Sequence, residues 1–194
     1  MKLDMVHDIQ RTYRKVLNSM SRPGEIENIK NESQKVDIDT EFFNSTLVLM
    51  FMLLDAEVSF KIISNKEDEM TKFINQLTYA KSKELHEADF IFLLNDAKKE
   101  DIESTFKKAK VGDLINPNKS ATIIVESEKI TNEKDLTLKG PGIKEVNYVE
   151  VKLKGNWIEE RNEKNIEYPL GIDVIFTDIN SNIMCLPRTT QIFK

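Results

Sequence analysis

The chain has 194 residues, 40% hydrophobic and 31% charged, the make-up of a globular protein long enough to bury its own core without staples. A net charge of -5 with no basic stripe argues against a protein built to grip nucleic acid. One cysteine, Cys185, permits no internal disulfide and suits a reducing cytosol.

Asp4 interrupts the N-terminal stretch where an export signal would run apolar. The longest apolar run, 47–54, is far short of the roughly 20 residues that span a bilayer. The expectation is a cytoplasmic protein, without membrane contact, forming one domain over residues 1–194. No internal repeat or dividing linker is visible.

Val6, Ile9, Tyr13, Val16, Leu17 and Met20 recur at helical spacing, with Arg11, Arg14 and Lys15 on the polar side. Ser21-Arg22-Pro23-Gly24 must end that helix, because Pro23 keeps Arg22 out of the helical region and Gly24 permits a sharp turn. Residues 25–29 alternate like an exposed strand. Asp39 and Thr40 are candidate N-caps for a second helix over 41–54, apolar nearly all round. A helix of that kind is buried on every side or meets another subunit.

Asp55-Ala56-Glu57 ends it. A strand over 58–63, a polar helix over 66–77 and a buried strand over 90–94 follow. An amphipathic helix over 98–110 and a second buried strand over 121–126 come next. Leu136-Thr137-Leu138 is a short strand closed by Gly140-Pro141-Gly142, and 157–165 is a short helix leading into a terminal strand pair. The alternation predicts the α/β class: a layered, largely parallel or mixed sheet with helices on its faces.

Pro187-Arg188-Thr189-Thr190 offers one fixed cation and two hydroxyls, a set suited to a phosphate, phosphonate or carboxylate oxygen. The plainer reading pairs Arg188 with an acid such as Asp173 and leaves the threonines to a strand edge. Asp173 begins an apolar strand, so it is partnered or functional, because a buried unpaired charge is costly. Gly140 and Gly142 present backbone N–H groups to an anion or simply make a turn, and they lack the Lys-Ser/Thr of a P-loop. If this turn lies beside residues 187–190, Arg188, Thr189, Thr190 and the glycine amides converge on one oxyanion.

Ser21 and Arg22 sit at a helix C-terminus, where the dipole favours a cation and suits Arg22 as a cap. His7 and His86 lie in polar surroundings far in sequence from Cys185, so neither a Cys–His pair nor a zinc site is expected. Cys185, between Met184 and Leu186, reads as a small buried hydrophobe. No Gly-x-Ser-x-Gly, His-Glu-x-x-His or P-loop occurs.

Several segments, in order, resemble the PhnH subunit family of the carbon–phosphorus lyase system. They are Tyr13-Arg14, Met20-Ser21-Arg22-Pro23-Gly24, the run ending at Asp55, Leu138-Lys139-Gly140-Pro141-Gly142-Ile143, residues 168–177 and residues 186–190. Tyr168 stands where that family usually has phenylalanine, and residues 65–118 carry little of its pattern.

The resemblance implies a fold similar to pyridoxal-phosphate-dependent transferases without their cofactor. It implies a cytoplasmic, homodimeric subunit of an assembly with PhnG, PhnI and PhnJ, without an active site of its own. That assembly attaches alkyl phosphonates to a ribose taken from ATP and later cleaves the carbon–phosphorus bond. On that basis Arg14, Ser21, Arg22, Pro23, Gly24 and Asp55 are framework positions of the family. The rival reading is a free-standing transferase or hydrolase that uses Asp173, Arg188 and Thr189 on a phosphorylated substrate.

Overall fold

The computed structural model describes residues 2–194. Its centre is a mixed seven-stranded sheet in the order β1-β9-β8-β5-β4-β2-β3. The strands are β1 (Glu27–Asn28), β2 (Ser59–Ile63), β3 (Lys81–Ser82), β4 (Phe90–Leu93), β5 (Thr122–Ser127), β8 (Asp173–Asp178) and β9 (Asn182–Leu186). Strands β3, β2, β4, β5 and β8 run parallel, whereas β9 is antiparallel to both β8 and β1. The α/β mixed sheet expected from the alternation of elements is present.

The central strands are apolar on both sides because both faces are covered. Ile123, Val125, Val174 and Phe176 point to one core, with Ile124 and Ile175 pointing to the other. The first core packs under α5 (Lys99–Lys108) and α6 (Trp157–Lys164). It also packs under a three-stranded antiparallel sheet, β10-β6-β7, of β6 (Ile130–Lys139), β7 (Asn147–Val151) and β10 (Gln191–Phe193). The sequence pattern shows only the C-terminal part of β6, and β7 escapes it. The second core lies under α1 (His7–Ser21), α3 (Asn44–Leu53) and α4 (Glu67–Thr78), with the single turn α2 (Lys30–Ser33) beside them.

Helix α3 starts later than its sequence suggests, and neither Asp39 nor Thr40 caps it. The N-cap is Phe43, with no side-chain cap of its own. Glu126 of β5 does the work instead. Its carboxylate accepts from Phe43 N–H at 2.7 Å and the Thr46 hydroxyl at 2.5 Å, and its other oxygen takes Asn95 N–H and Nδ2–H at 3.0 and 2.7 Å. Burial pushes its pKa up, and those four donors oppose the shift. Leu47, Val48, Leu49 and Met50 are fully buried, so this chain itself covers most of α3.

Helix α1 has the predicted extent but is turned about its axis, so that Val16, Ile9 and Met20 of its apolar side reach the core and the rest does not. Its buried stripe is Asp8, Thr12, Val16 and Ser19. Val6, Tyr13 and Leu17 are 70%, 56% and 55% exposed. The sheet edge explains the polar interior. Strand β1 reaches along β9 only to Ile183, so the next outward N–H, on Cys185, needs another partner. The Ser19 hydroxyl accepts it at 2.9 Å and donates to Glu25 O.

Further along α1, Lys15 pairs with Glu32 at 2.9 Å, and Asp8 takes Lys35 at 2.7 Å together with Arg11. Burial opposes ionisation of Asp8, but hydrogen bonds from Lys35, the Asp4 amide and Arg11 hold its carboxyl below the ordinary value. Cys185 itself is buried, and burial pushes its thiol up to about 12. No helix among the described residues is long and apolar enough to cross a membrane.

Candidate functional site

Three turns meet where β6, β9 and α1 end. Strand β10 pairs with β6 so that Gln191 faces Lys139, which brings residues 187–190 against residues 140–142. A Cβ on Gly140 would lie 2.8 Å from the Thr189 carbonyl oxygen, and one on Gly142 would lie 2.1 Å from Ser21 O. Both glycines also have positive φ, so both the backbone conformation and the close approach require them. Asn147 Nδ2 donates to Pro23 O at 2.7 Å, and Asn132 Nδ2 donates to Gly24 O at 2.8 Å, which fastens the third turn to β6 and β7.

The condition set by the sequence is met in part: the two turns are neighbours, but the Arg188 guanidinium is engaged elsewhere. Its Nε and Nη2 reach the two Asp173 oxygens at 3.3 and 2.5 Å. Nη2 also donates to Ser120 Oγ at 2.5 Å, while Nη1 donates to Pro117 O at 2.8 Å and Pro169 O at 3.4 Å. Those contacts use all five guanidinium N–H groups. Asp173 further accepts the Arg188 backbone N–H at 2.7 Å. Arg188 therefore ties the start of β8 to the loops that carry Pro117 and Pro169.

The charge beneath the turn comes from a residue that sequence reasoning missed. Trp157 begins α6 with its ring 5.2 Å from that of Phe176 and 5.9 Å from that of Phe106, which seats the helix on the core. Four residues on, on the same face, Arg161 is 0% exposed. Its Nη1 donates to Thr190 O at 3.0 Å, and its Nη2 donates to Pro187 O at 2.7 Å and Leu186 O at 3.4 Å. Burial lowers its pKa to about 10, against the pull of Asp173, so the guanidinium stays charged at neutral pH. Arg161 Nε and Thr190 Oγ1 are buried without a hydrogen-bond partner. The available signal was position: Arg161 follows Trp157 by four and Ile158 by three, on the apolar side of a short helix.

A groove of about 860 Å³ opens over this floor, lined by Pro141, Asn165, Tyr168, Arg188, Thr189 and Thr190 among others. It lies at the amino ends of the parallel strands, beside the Tyr168–Pro169 peptide, which is cis. The remaining sequence candidates behave differently. Ser21 donates to Asn18 O, and Pro23 and Gly24 are buried in the turn contact. Arg22 does not cap the helix carbonyls with its side chain; its guanidinium lies 3.5 Å from Glu25 instead. Asp55 accepts Glu57 N–H at 2.9 Å, and Arg14 is exposed on α1. Among the described residues, no three His, Cys, Asp or Glu side chains gather where they could hold a metal ion.

The chain is 33% identical over 84 residues to the putative C-P lyase subunit protein HtxG of Stutzerimonas stutzeri. That match spans 43% of this chain and 43% of the relative's length. The model of bacterial phosphonate metabolism protein (PhnH) matches residues 2–193, so it takes in all three turns, both arginines and the groove. The chain belongs to the PhnH family.

Proposed function

We propose that this protein is a non-catalytic subunit of a carbon–phosphorus lyase core. It supports transfer of an alkyl phosphonate to ATP-derived ribose and the later cleavage of the C–P bond. Family membership over nearly the whole chain, with a relative named as a C-P lyase subunit, is the observation that carries this reading. The fold is read as one cytoplasmic domain, similar to pyridoxal-phosphate-dependent transferases without the cofactor. It is homodimeric when isolated and assembles with PhnG, PhnI and PhnJ.

The groove is its substrate-presenting surface. Thr189 and Thr190 line the wall that an oxyanion meets, with Gly140 and Gly142 setting the turn behind it, while Asp173 and Arg188 hold the adjoining loops in place. The engagement of every Arg188 N–H supports this division of roles. Loss of the gene should abolish growth on methylphosphonate as sole phosphorus source and spare growth on phosphate. Normal growth on both would remove the proposal. Calorimetric titration of the assembled complex with phosphate, methylphosphonate and ATP tests the groove. No heat with any of them, together with a lowered Tm for Arg188→Ala, would reduce these residues to scaffolding.

A further inference from the structure

Helix α1 buries a mostly polar stripe and leaves Val6, Tyr13 and Leu17 of its apolar side outward, unlike a surface helix that turns its whole apolar side to its own core. Val6, Ile9, Tyr13, Leu17 and Met20 lie in one row at i, i+3, i+4 spacing. Val6, Tyr13 and Leu17 stand in solvent, with Ile9 and Met20 half-buried at the margin. The inward Ser19, Asp8 and Lys15 are accounted for by the β9 edge and the Lys35 and Glu32 pairs, whereas the Thr12 hydroxyl is buried without a hydrogen-bond partner. Ile9 and Met20 reach the second core at the margin, and among the described residues nothing covers Val6, Tyr13 and Leu17. Arg14 flanks that row and is exposed, with no hydrogen bond or ion pair among the described residues.

We propose that the outward face of α1 docks a different subunit of the lyase assembly. This rests on the reading given under Proposed function. The docking element is an apolar ridge that carries a carboxylate opposite Arg14. Charge decides between this occupant and a second copy of the chain. A two-fold pairing of α1 with itself brings Arg14 against a helix whose own acids are committed. Asp8 is buried with Lys35 and Arg11, and Asp4 accepts the Val6 and His7 amides and His7 Nδ1. A heterologous partner supplies the missing carboxylate, and charge complementarity of this kind fixes partner choice more than raw affinity.

The test uses the full chain produced with the other lyase subunits, as wild type, Leu17→Glu and Arg14→Glu. Affinity for the rest of the assembly, the sedimentation of the free protein and its Tm are measured together. A charge placed among central apolar contacts should weaken assembly about 30-fold, the scale of a hot-spot loss. Arg14→Glu should weaken it about tenfold, with the salt dependence reduced. Both variants should sediment and melt as the wild type does.

Unchanged assembly by Leu17→Glu, in a complex that the wild type forms, overturns the docking surface and leaves the subunit reading standing. A wild-type dimer that Leu17→Glu makes monomeric, with assembly intact, gives the face to a second copy and also overturns it. Failure of the wild type to join the other subunits removes both readings.

Discussion

Helices α1 and α3 lie against the same side of the sheet and invert each other's sequence pattern. Helix α3 has no polar face, and its core residues are sealed by strands, by α1 and by α2. Helix α1 has a clear apolar face and turns Val6, Tyr13 and Leu17 of it to solvent. The difference lies in what each helix packs against. Helix α3 covers apolar strand side chains, whereas α1 covers a sheet edge whose backbone and neighbouring charges need hydrogen-bonding partners. Amphipathicity tells which residues share a side of a helix. It does not tell which side faces the fold.

Truncation breaks the comparison most directly. Leu49→Ala in α3 should cost about 2–5 kcal/mol in chemical denaturation, because the space cannot fully collapse. The same change at Leu17 of α1 should stay within about 0.5 kcal/mol, as at other exposed positions. Equal losses at the two sites would show that α1 is held by its apolar row after all.

A second comparison tests the polar interior of α1. Asp8→Ala removes the acceptor shared by Lys35, Arg11 and the Asp4 amide. It should destabilise the protein by about 1–3 kcal/mol, the cost of leaving such groups unmet. A neutral result would mean that solvent replaces those contacts at no cost.

The smallest effect is in pH, where the two helices should respond with opposite sign. Glu126, at the start of α3, has its carboxyl raised above the ordinary 4.5, so the folded protein keeps this proton longer than the unfolded chain. Stability should therefore fall as pH rises from 4.5 through the raised folded value. Asp8 on α1 is lowered from 3.8, and its contribution is present above 3.8 and lost as pH falls through the folded value. Denaturation midpoints across pH should lose the first slope in Glu126→Gln and the second in Asp8→Asn. Slopes that match wild type in both variants would contradict these assignments.

The sequence made the class legible because 90–94, 123–125 and 174–176 are apolar without alternation, as in a sheet covered on both faces. It made the meeting of the Gly140–Gly142 and Pro187–Thr190 turns legible as a condition, through family order. Strand β7 and the full length of β6 were hidden by charged, solvent-facing positions, since Asn132, Glu133, Lys134 and Asp135 break the pattern in mid-strand. Arg161 was hidden because a cation among Glu159, Glu160 and Asn162 reads as surface. Its burial depends on where Trp157 seats the helix. The plainer sequence reading of Arg188, paired with Asp173, is what the structure shows, while its further acceptors on Pro117, Ser120 and Pro169 were hidden because they lie far away along the chain.

The Glu126 carboxylate has a consequence for where this fold can work. In open α/β sheets ligands gather at the carboxyl ends of the strands, where the start of a helix offers free N–H groups to a phosphate. Here that end of β5 carries its own carboxylate, and the Phe43 amide, the Thr46 hydroxyl and both Asn95 donors are already spoken for. A phosphate approaching the cleft beside Phe43 and Asn95 meets a carboxyl group where an empty cradle would otherwise stand. The customary binding edge is occupied from within at β5, and the larger groove, over the turn braced by Arg161, lies at the opposite edge.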